Sequence, residues 1–214
     1  GKNFLITAGP TFEAIDPVRY IGNHATGLMG YELARNAVIM GANVVLVSGP
    51  TFLKCEYINV KKIDVKSADE MYSACNQYFE NSDYVICAAA VADYKPKEVA
   101  IQKIKKNESS FQLDLVKTVD ILKHLGTNKK NQLVIGFALE TENEIENAKQ
   151  KIVKKNLDFI VLNSMNDQGA GFGVPTNKVT IINKDMELKS IDLKLKSEIA
   201  KDILNYILEF QKNN

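Results

Sequence analysis

The sequence has 214 residues, of which 45% are hydrophobic and 25% are charged, and its formal net charge is +1. That length can bury the core of one large α/β domain, so we expect a single domain over residues 1–214, and the near-neutral charge argues against nucleic acid or an anionic membrane as a partner. The three cysteines lack CxxC spacing and the chain has only two histidines, which argues against a disulfide framework and a structural zinc site and favours the reducing cytoplasm. No apolar run approaches about 18 residues, which argues against a membrane span.

The first half of the chain alternates strands and helices. Buried strands are predicted from apolar runs at Phe4–Ala8, Asn43–Ser48 and Tyr84–Ala90, and a further strand is predicted at Ile58–Ile63. A helix that begins near Thr26 continues to Met40 and ends at Gly41, and a capping box at Ser67–Glu70 begins the next helix.

A long loop, Gly9–Gly30, separates the first strand from the first helix. A strand, a glycine-bearing loop and a helix that begins on small residues are the usual parts of a phosphate site at the carboxyl end of a parallel sheet. This loop is longer than a dinucleotide fingerprint allows, and such a loop in a compact unit is usually functional. Its polar candidates are Glu13, Asp16, Arg19, Asn23 and His24. We interpret it as a substrate loop built onto a phosphate-binding unit.

The second half begins with a lysine-rich segment, Lys95–Ser110, which we call the basic flap. The further predicted elements are a strand at Phe111–Leu115, a helix at Asp120–Leu125 ended by Gly126, a strand at Leu133–Leu139, a helix at Glu142–Asn156, a strand at Phe159–Asn163, a hairpin of Val179–Asn183 with Glu187–Ile191, and a helix at Ser197–Phe210. Alternation of this kind predicts an α/β, Rossmann-like fold with a mainly parallel sheet, helices on both faces, the basic flap and a small terminal hairpin. The ligand should lie outside the carboxyl ends of the strands.

The residues alone leave several kinds of function open. A nicotinamide-dependent reductase usually has an acid after the second strand, but Val47–Pro50 contains none. Lysines and backbone donors, with Arg19 and Asn23 in the long loop, suit chemistry on a phosphate and a carboxylate, where negative charge accumulates. This pattern favours a nucleotide or a phosphorylated substrate; the reductase and a non-catalytic nucleotide-binding module are the alternatives.

Six ordered motifs resemble those of the phosphopantothenate–cysteine ligase family, also called phosphopantothenoylcysteine synthetases. They are TAGPT at Thr7–Thr11, DPVRYIGNHATGLMG at Asp16–Gly30, VSGP at Val47–Pro50, AAAVADYKP at Ala88–Pro96, KIKK at Lys103–Lys106 and GFALET at Gly136–Thr141. The chain resembles the synthetase part alone, without the flavin-dependent decarboxylase often fused ahead of it, so the resemblance implies a monofunctional form.

The resemblance implies a reaction of coenzyme A synthesis. The carboxylate of 4′-phosphopantothenate attacks CTP, with Mg²⁺, to give an acyl-cytidylate and diphosphate, and the amine of L-cysteine then displaces CMP. It also implies a cytoplasmic homodimer, with a separate phosphopantothenoylcysteine decarboxylase in the pathway.

The resemblance also implies roles for particular residues. Asn23 and Lys103 would be catalytic, Asn23 by binding substrate and intermediate and Lys103 in amide formation. Arg19, Asn23, Ala89 and Ala90 would bind substrate. The nucleotide would be bound by Gly9, Cys87, Ala88, Ala89, Asp93, Lys103, Val119, Asp120, Ile121, Leu122, Phe137, Lys151 and Lys155. The metal ligands stay open.

Overall fold

A computed structural model describes residues 1–105, 111–164, 166 and 169–213. Lys106–Ser110, the end of the predicted basic flap, lies outside these residues, as do Met165, Asp167 and Gln168 in the loop after Ser164. The strands are β1 (Asn3–Ala8), β2 (Phe12–Ala14), β3 (Tyr20–Gly22), β4 (Asn43–Ser48), β5 (Val60–Asp64), β6 (Tyr84–Cys87), β7 (Tyr94–Pro96), β8 (Leu115–Lys117), β9 (Leu133–Glu140), β10 (Phe159–Ser164), β11 (Thr176–Asn183) and β12 (Leu188–Leu195). The helices are α1 (Leu28–Ile39), α2 (Ala68–Phe79), α3 (Ile121–Asn128), α4 (Glu144–Lys155) and α5 (Lys196–Asn213).

Eight strands form one sheet in the order β12-β11-β10-β9-β6-β1-β4-β5. The six strands from β10 to β5 in that order are parallel neighbours. The predicted Rossmann-like, mainly parallel fold is therefore confirmed. The predicted terminal hairpin is also found, but β11 pairs antiparallel with β10, so it extends the main sheet.

Apolar side chains leave the central strands alternately on the two faces of the sheet. In β1, Ile6 packs on the face covered by α1 and α5, while Leu5 packs on the face covered by α2, α3 and α4. This explains why the strands read as continuous apolar runs, since both of their faces are buried. Within the described ranges, none of the helices combines the length and the apolar character that a membrane crossing requires.

The long loop after β1 contains a small hairpin, β2 with β3, that was not predicted. Its rings of Phe12 and Tyr20 stack with centroids 3.9 Å apart. Glu13, buried in this hairpin, accepts a 2.9 Å hydrogen bond from the Ala68 N–H at the start of α2. The predicted cap of α2 is confirmed, because Ser67 Oγ accepts from Glu70 N–H at 3.2 Å. The substrate loop is thus anchored against α2.

Two predictions in the middle of the chain were wrong. The strand expected at Phe111–Leu115 lies at Leu115–Lys117 instead, where it pairs antiparallel with β7. Gly126 does not end α3, which continues to Asn128. A Cβ on Gly126 would lie 2.0 Å from the Lys155 carbonyl oxygen, so the glycine serves the close approach of α3 to α4. Other ends differ by a few residues; β6, for example, ends at Cys87 rather than Ala90.

Candidate active site

A cleft of about 450 Å³ opens where β1, β6 and β9 reach their carboxyl ends. Its lining includes Cys87, Ala89, Asp93, Val119, Asp120, Ile121, Leu122, Phe137 and Lys155, all of them predicted nucleotide residues. They come from the end of β6, the base of the basic flap, the start of α3, β9 and α4. The fold therefore brings together at one edge of the sheet residues that are far apart in the sequence.

Asp120 joins two walls of this cleft. As the N-cap of α3 it accepts a 3.0 Å hydrogen bond from Lys123 N–H, and it pairs with Lys155 Nζ of α4 at 2.9 Å. Burial opposes ionisation of the Asp120 carboxyl, but the bonds from Lys123 and Lys155 outweigh it and lower its pKa. The ion pair holds the Lys155 ammonium beside the first turn of α3, where a helix has free N–H groups that suit an anion.

Cys87 forms part of the cleft floor. Burial raises the pKa of its thiol to about 12, against a smaller opposing effect of Lys155. Next to it, Ala89 N–H donates a 3.2 Å hydrogen bond to Thr7 Oγ1. A thiol with that pKa stays protonated near neutral pH, so Cys87 is a wall of the cleft and not a nucleophile.

Asn23, Gly9 and Ala90 meet beside the cleft. Asn23 Nδ2 donates to the Ala90 carbonyl oxygen at 2.9 Å, and Ala90 N–H donates to the Gly9 carbonyl oxygen at 2.9 Å. Gly9 (φ +78°) and Gly27 (φ +87°), which precedes α1, both have left-handed backbones, and a Cβ on Gly27 would lie 3.1 Å from Gly9 N. The predicted phosphate unit at the start of α1 and the predicted substrate residues thus adjoin the cleft.

Ala88 lies outside the lining of the cleft and packs against the core on the face covered by α1 and α5. Three further predicted residues also lie outside the lining. Arg19 donates to Asp16 and to the Ile104 carbonyl oxygen. Lys151 Nζ is paired with Glu140 Oε1 at 2.5 Å, near the end of β9. Lys103 is exposed and forms no ion pair with any residue that the structure describes. The roles assigned to these three residues stay predictions.

Residues 1–210 match the family described as DNA/pantothenate metabolism flavoprotein C-terminal domain. The chain belongs to this family.

The similar proteins include longer ones. The chain is 49% identical over 209 residues to a protein of an unknown prokaryotic organism named cysteine/cysteine sulfinic acid decarboxylase, covering 97% of this chain and 58% of that protein. It is 46% identical over 212 residues to the coenzyme A biosynthesis bifunctional protein CoaBC of Bacillus subtilis, covering 99% and 52%. The chain therefore spans about half the length of the curated relatives that it matches. A crystal structure of the C-terminal domain of a CoaBC protein superposes with a TM-score of 0.85 at 44% identity, covering 100% of this chain and 97% of that one.

The cleft of this family member also contains residues that sequence reasoning missed. Thr7, Met71, Val91, Tyr94, Lys117 and Thr118 line it as well. Thr118 fixes the base of the flap, because its Oγ1 donates to the Ala92 carbonyl oxygen at 2.6 Å and its N–H donates to the Asp93 carbonyl oxygen at 3.0 Å. Thr7 stands in the TAGPT motif and could have been inferred from it. No motif contains Met71, and its spacing in the sequence is that of an ordinary core residue of α2.

Proposed function

We propose that the chain is a ligase of coenzyme A biosynthesis that joins 4′-phosphopantothenate to L-cysteine at the expense of CTP, through an acyl-cytidylate, with release of CMP and diphosphate. The observation that carries the proposal is the cleft at the carboxyl edge of the sheet, where the end of β6, the start of α3 and Lys155 meet. The likeness to the C-terminal domain of a CoaBC protein, at 44% identity over 100% of this chain, supports the same activity.

In the first step, a carboxylate oxygen of 4′-phosphopantothenate bonds to the α-phosphorus of CTP and diphosphate leaves. Negative charge on the phosphate oxygens has to be neutralised as that bond exchange proceeds. Lys117 and Lys155 line the cleft and supply cations, and the first residues of α3 line it where the helix has free N–H groups. The electrostatics of the cleft thus suit a polyphosphate.

In the second step, the amine of cysteine bonds to the acyl carbon, loses a proton, and CMP leaves with its phosphate oxygen. We assign Lys103 to this step because it stands in the KIKK motif that resembles the family's. We assign Asn23 to holding the intermediate, because Asn23 bonds to Ala90, directly after the cleft residue Ala89. Hydrolysis of the mixed anhydride competes with the amine, so water has to be kept out. Apolar walls that include Met71 and Leu122 favour that exclusion.

Mg²⁺ is proposed to enter with the triphosphate and to neutralise its charge. Mg²⁺ is usually held by one or two carboxylates together with substrate phosphates. Within the described ranges, no group of three or more His, Cys, Asp or Glu side chains could hold a metal by itself. Asp93 lines the cleft, and its carboxylate forms no ion pair with a described residue. This donor set fits an ion bound chiefly by the nucleotide, with Asp93 as its protein ligand.

We further propose that residues 1–214 act as one synthetase domain, in a cytoplasmic homodimer whose partners are small molecules. A phosphopantothenoylcysteine decarboxylase would then act on the product of the ligase. Exposed apolar side chains on the β2–β3 hairpin and the flap support the dimer, among them Val18, Tyr20 and Val99. Sedimentation that finds only monomer would argue against it. The monofunctional form stays a prediction, which the mass of the native protein tests.

In the deciding experiment, purified protein is incubated with Mg²⁺, cysteine, 4′-phosphopantothenate and one common triphosphate at a time, and the release of diphosphate is measured. CTP should release the most, and release should require 4′-phosphopantothenate. Asn23→Asp should impair the reaction, whereas Asn43→Asp should not, because Asn43 bonds to Asn3 at the opposite end of the sheet. Failure of every triphosphate to release diphosphate would reject the proposal. NADPH oxidation in its place would favour the reductase, although β4 ends at the buried Ser48 without an acid.

A further inference from the structure

The Asp16 carboxylate is buried and divides its hydrogen bonds between two tasks. Oδ1 accepts from the N–H groups of Val18 and Arg19, both at 2.8 Å, and so closes a local turn in the substrate loop. Oδ2 accepts from Arg19 Nε at 3.0 Å, from Arg19 Nη2 at 2.5 Å and from Ile104 N–H at 3.1 Å. The first oxygen acts within the loop, and the second reaches a segment 88 residues away.

Arg19 completes the contact with that segment. Its Nη2 also donates to the Ile104 carbonyl oxygen at 3.1 Å, so the Asp16–Arg19 pair holds both the N–H and the C=O of one residue of the flap. A further backbone bond, from Ala100 N–H to the Ile15 carbonyl oxygen at 3.0 Å, joins the same two segments. Both Nε and Nη2 of the guanidinium bond to the one oxygen Oδ2, and charge-assisted hydrogen bonds of this kind are stronger than neutral ones. The Arg19 guanidinium also holds the pKa of the Asp16 carboxyl well below its ordinary value, so the pair stays charged near neutral pH.

Ile104 directly follows Lys103, and adjacent Cα atoms are about 3.8 Å apart. Fixing the peptide groups of Ile104 therefore fixes the place from which the Lys103 side chain projects. A local turn needs only Oδ1, so the turn gives no reason for the three bonds on Oδ2. Lys103 itself is exposed, and no described residue pairs with its ammonium. Its position consequently depends on its backbone.

We propose that Asp16 is a positioning residue for amide formation, which sets the position of Lys103 by holding, together with Arg19, the backbone of Ile104. The inference rests on the proposed ligase function, and in it Asp16 acts on the reaction through Lys103. It also gives Arg19 a task, holding the flap, that differs from substrate binding.

Asp16→Asn separates the two tasks of the carboxylate. An asparagine oxygen still accepts from Val18 and Arg19, whereas its NH₂ group on the other side meets only donors. Three readouts are compared with wild type: diphosphate release without cysteine, single-turnover amide formation on adding cysteine, and amide hydrogen exchange at Ile104 N–H followed by NMR. We expect release to stay within about threefold, amide formation to fall at least about tenfold, and exchange to accelerate at least about tenfold. Asp83→Asn, which alters a carboxylate bonded to Lys2 and Asn3 N–H at the amino end of the sheet, should change none of them.

Several results would overturn the proposal. Amide formation at the wild-type rate in Asp16→Asn would do so, and so would unchanged exchange at Ile104. An equal loss in both half-reactions would show that Asp16 merely maintains the fold. Hydrogen exchange can be measured without turnover. If the protein released no diphosphate, the ligase function would be rejected, but the exchange rate at Ile104 would still test whether Asp16 holds that residue.

Arg19→Lys tests the same contact when Asp16→Asn does not give folded protein, as judged by thermal unfolding. Lysine keeps the charge but lacks the planar fork that bonds Asp16 and Ile104 together. Amide formation should fall at least about fivefold, while KM for 4′-phosphopantothenate stays within about threefold. A raised KM with an unchanged rate of amide formation would assign Arg19 to substrate binding and refute the proposal.

Discussion

Replacement of Gly126 by alanine tests how closely α3 must approach α4. The new Cβ would lie 2.0 Å from the Lys155 carbonyl oxygen and 3.1 Å from the Asn156 carbonyl oxygen, whereas real Cβ contacts under 3.0 Å are essentially never seen. α3 therefore has to retreat by about 1 Å, and such overpacking costs about 1–3 kcal/mol. The retreat also weakens the 2.8 Å bond from Asn156 Nδ2 to the Gly126 carbonyl oxygen, which is worth about 1 kcal/mol.

Alanine favours the helix by about 1 kcal/mol relative to glycine, which offsets part of that cost. The free energy of unfolding should therefore fall by about 1–3 kcal/mol. For a chain of this length each kcal/mol corresponds to about 2–4 °C in Tm, so a fall of about 4–8 °C is expected for the middle of the range.

Urea and thermal unfolding followed by circular dichroism measure the effect. Thr127→Ala, at the next and exposed position of the same helix, is the matched control, and it should leave stability unchanged or raise it slightly. If Gly126→Ala unfolded at or above the wild-type temperature, the helices would have room for a methyl group, and the steric reasoning would be refuted.

Four further outcomes are expected. Lys103→Gln should let diphosphate appear at a near wild-type rate but slow amide formation, and normal turnover would remove Lys103 from the mechanism. Asn156→Gly should cost about 1 kcal/mol of stability, because the hydrogen bond of the Asn156 side chain is lost. Asn156→Ala should cost about 1 kcal/mol more, because φ is +52° at this position. Equal midpoints of urea unfolding for the two variants would contradict this. Alkylation of Cys87 by iodoacetamide, followed by mass spectrometry, should be slow at pH 8 and keep accelerating with pH beyond the ordinary thiol pKa, because burial raises the pKa of Cys87. A rate that levels off near the ordinary thiol pKa would disprove the assigned burial effect. Glu140→Gln should free the Lys151 ammonium and lower KM for CTP about threefold in initial-rate assays, whereas a higher KM would mean that Glu140 positions the lysine.

The parallel sheet could be predicted from the sequence because its strands carry their own signal. In β4, for example, the residues Val44–Val47 are all apolar, since helices cover both faces of the sheet. The β2–β3 and β7–β8 pairs have strands of three residues, too short for a period to be counted. Gly126 was interpreted as a helix end because the reason for it, a carbonyl oxygen of α4, lies far away in the sequence.

The residues of the cleft were also predictable in part, where they lie at the ends of predicted strands. Residues at strand ends, such as Cys87 and Ala89, follow from the rule that ligands bind at the carboxyl edge together with the motif at Ala88–Pro96. Which charges pair with which could not be inferred. The sequence shows Asp16 and Arg19 three positions apart, but it does not show that both meet Ile104. In the same way, nothing local indicates that Lys151 is held by Glu140.

The pairing of Lys155 with Asp120 and of Lys151 with Glu140 has a thermodynamic consequence. A triphosphate bound as proposed has to displace the carboxylate that already neutralises each ammonium, so those exchanges should release few counterions. Association should then depend only weakly on ionic strength, in contrast to a groove of bare cations. Small anions of single charge, which cannot displace two carboxylates at once, should compete poorly with a triphosphate at physiological salt.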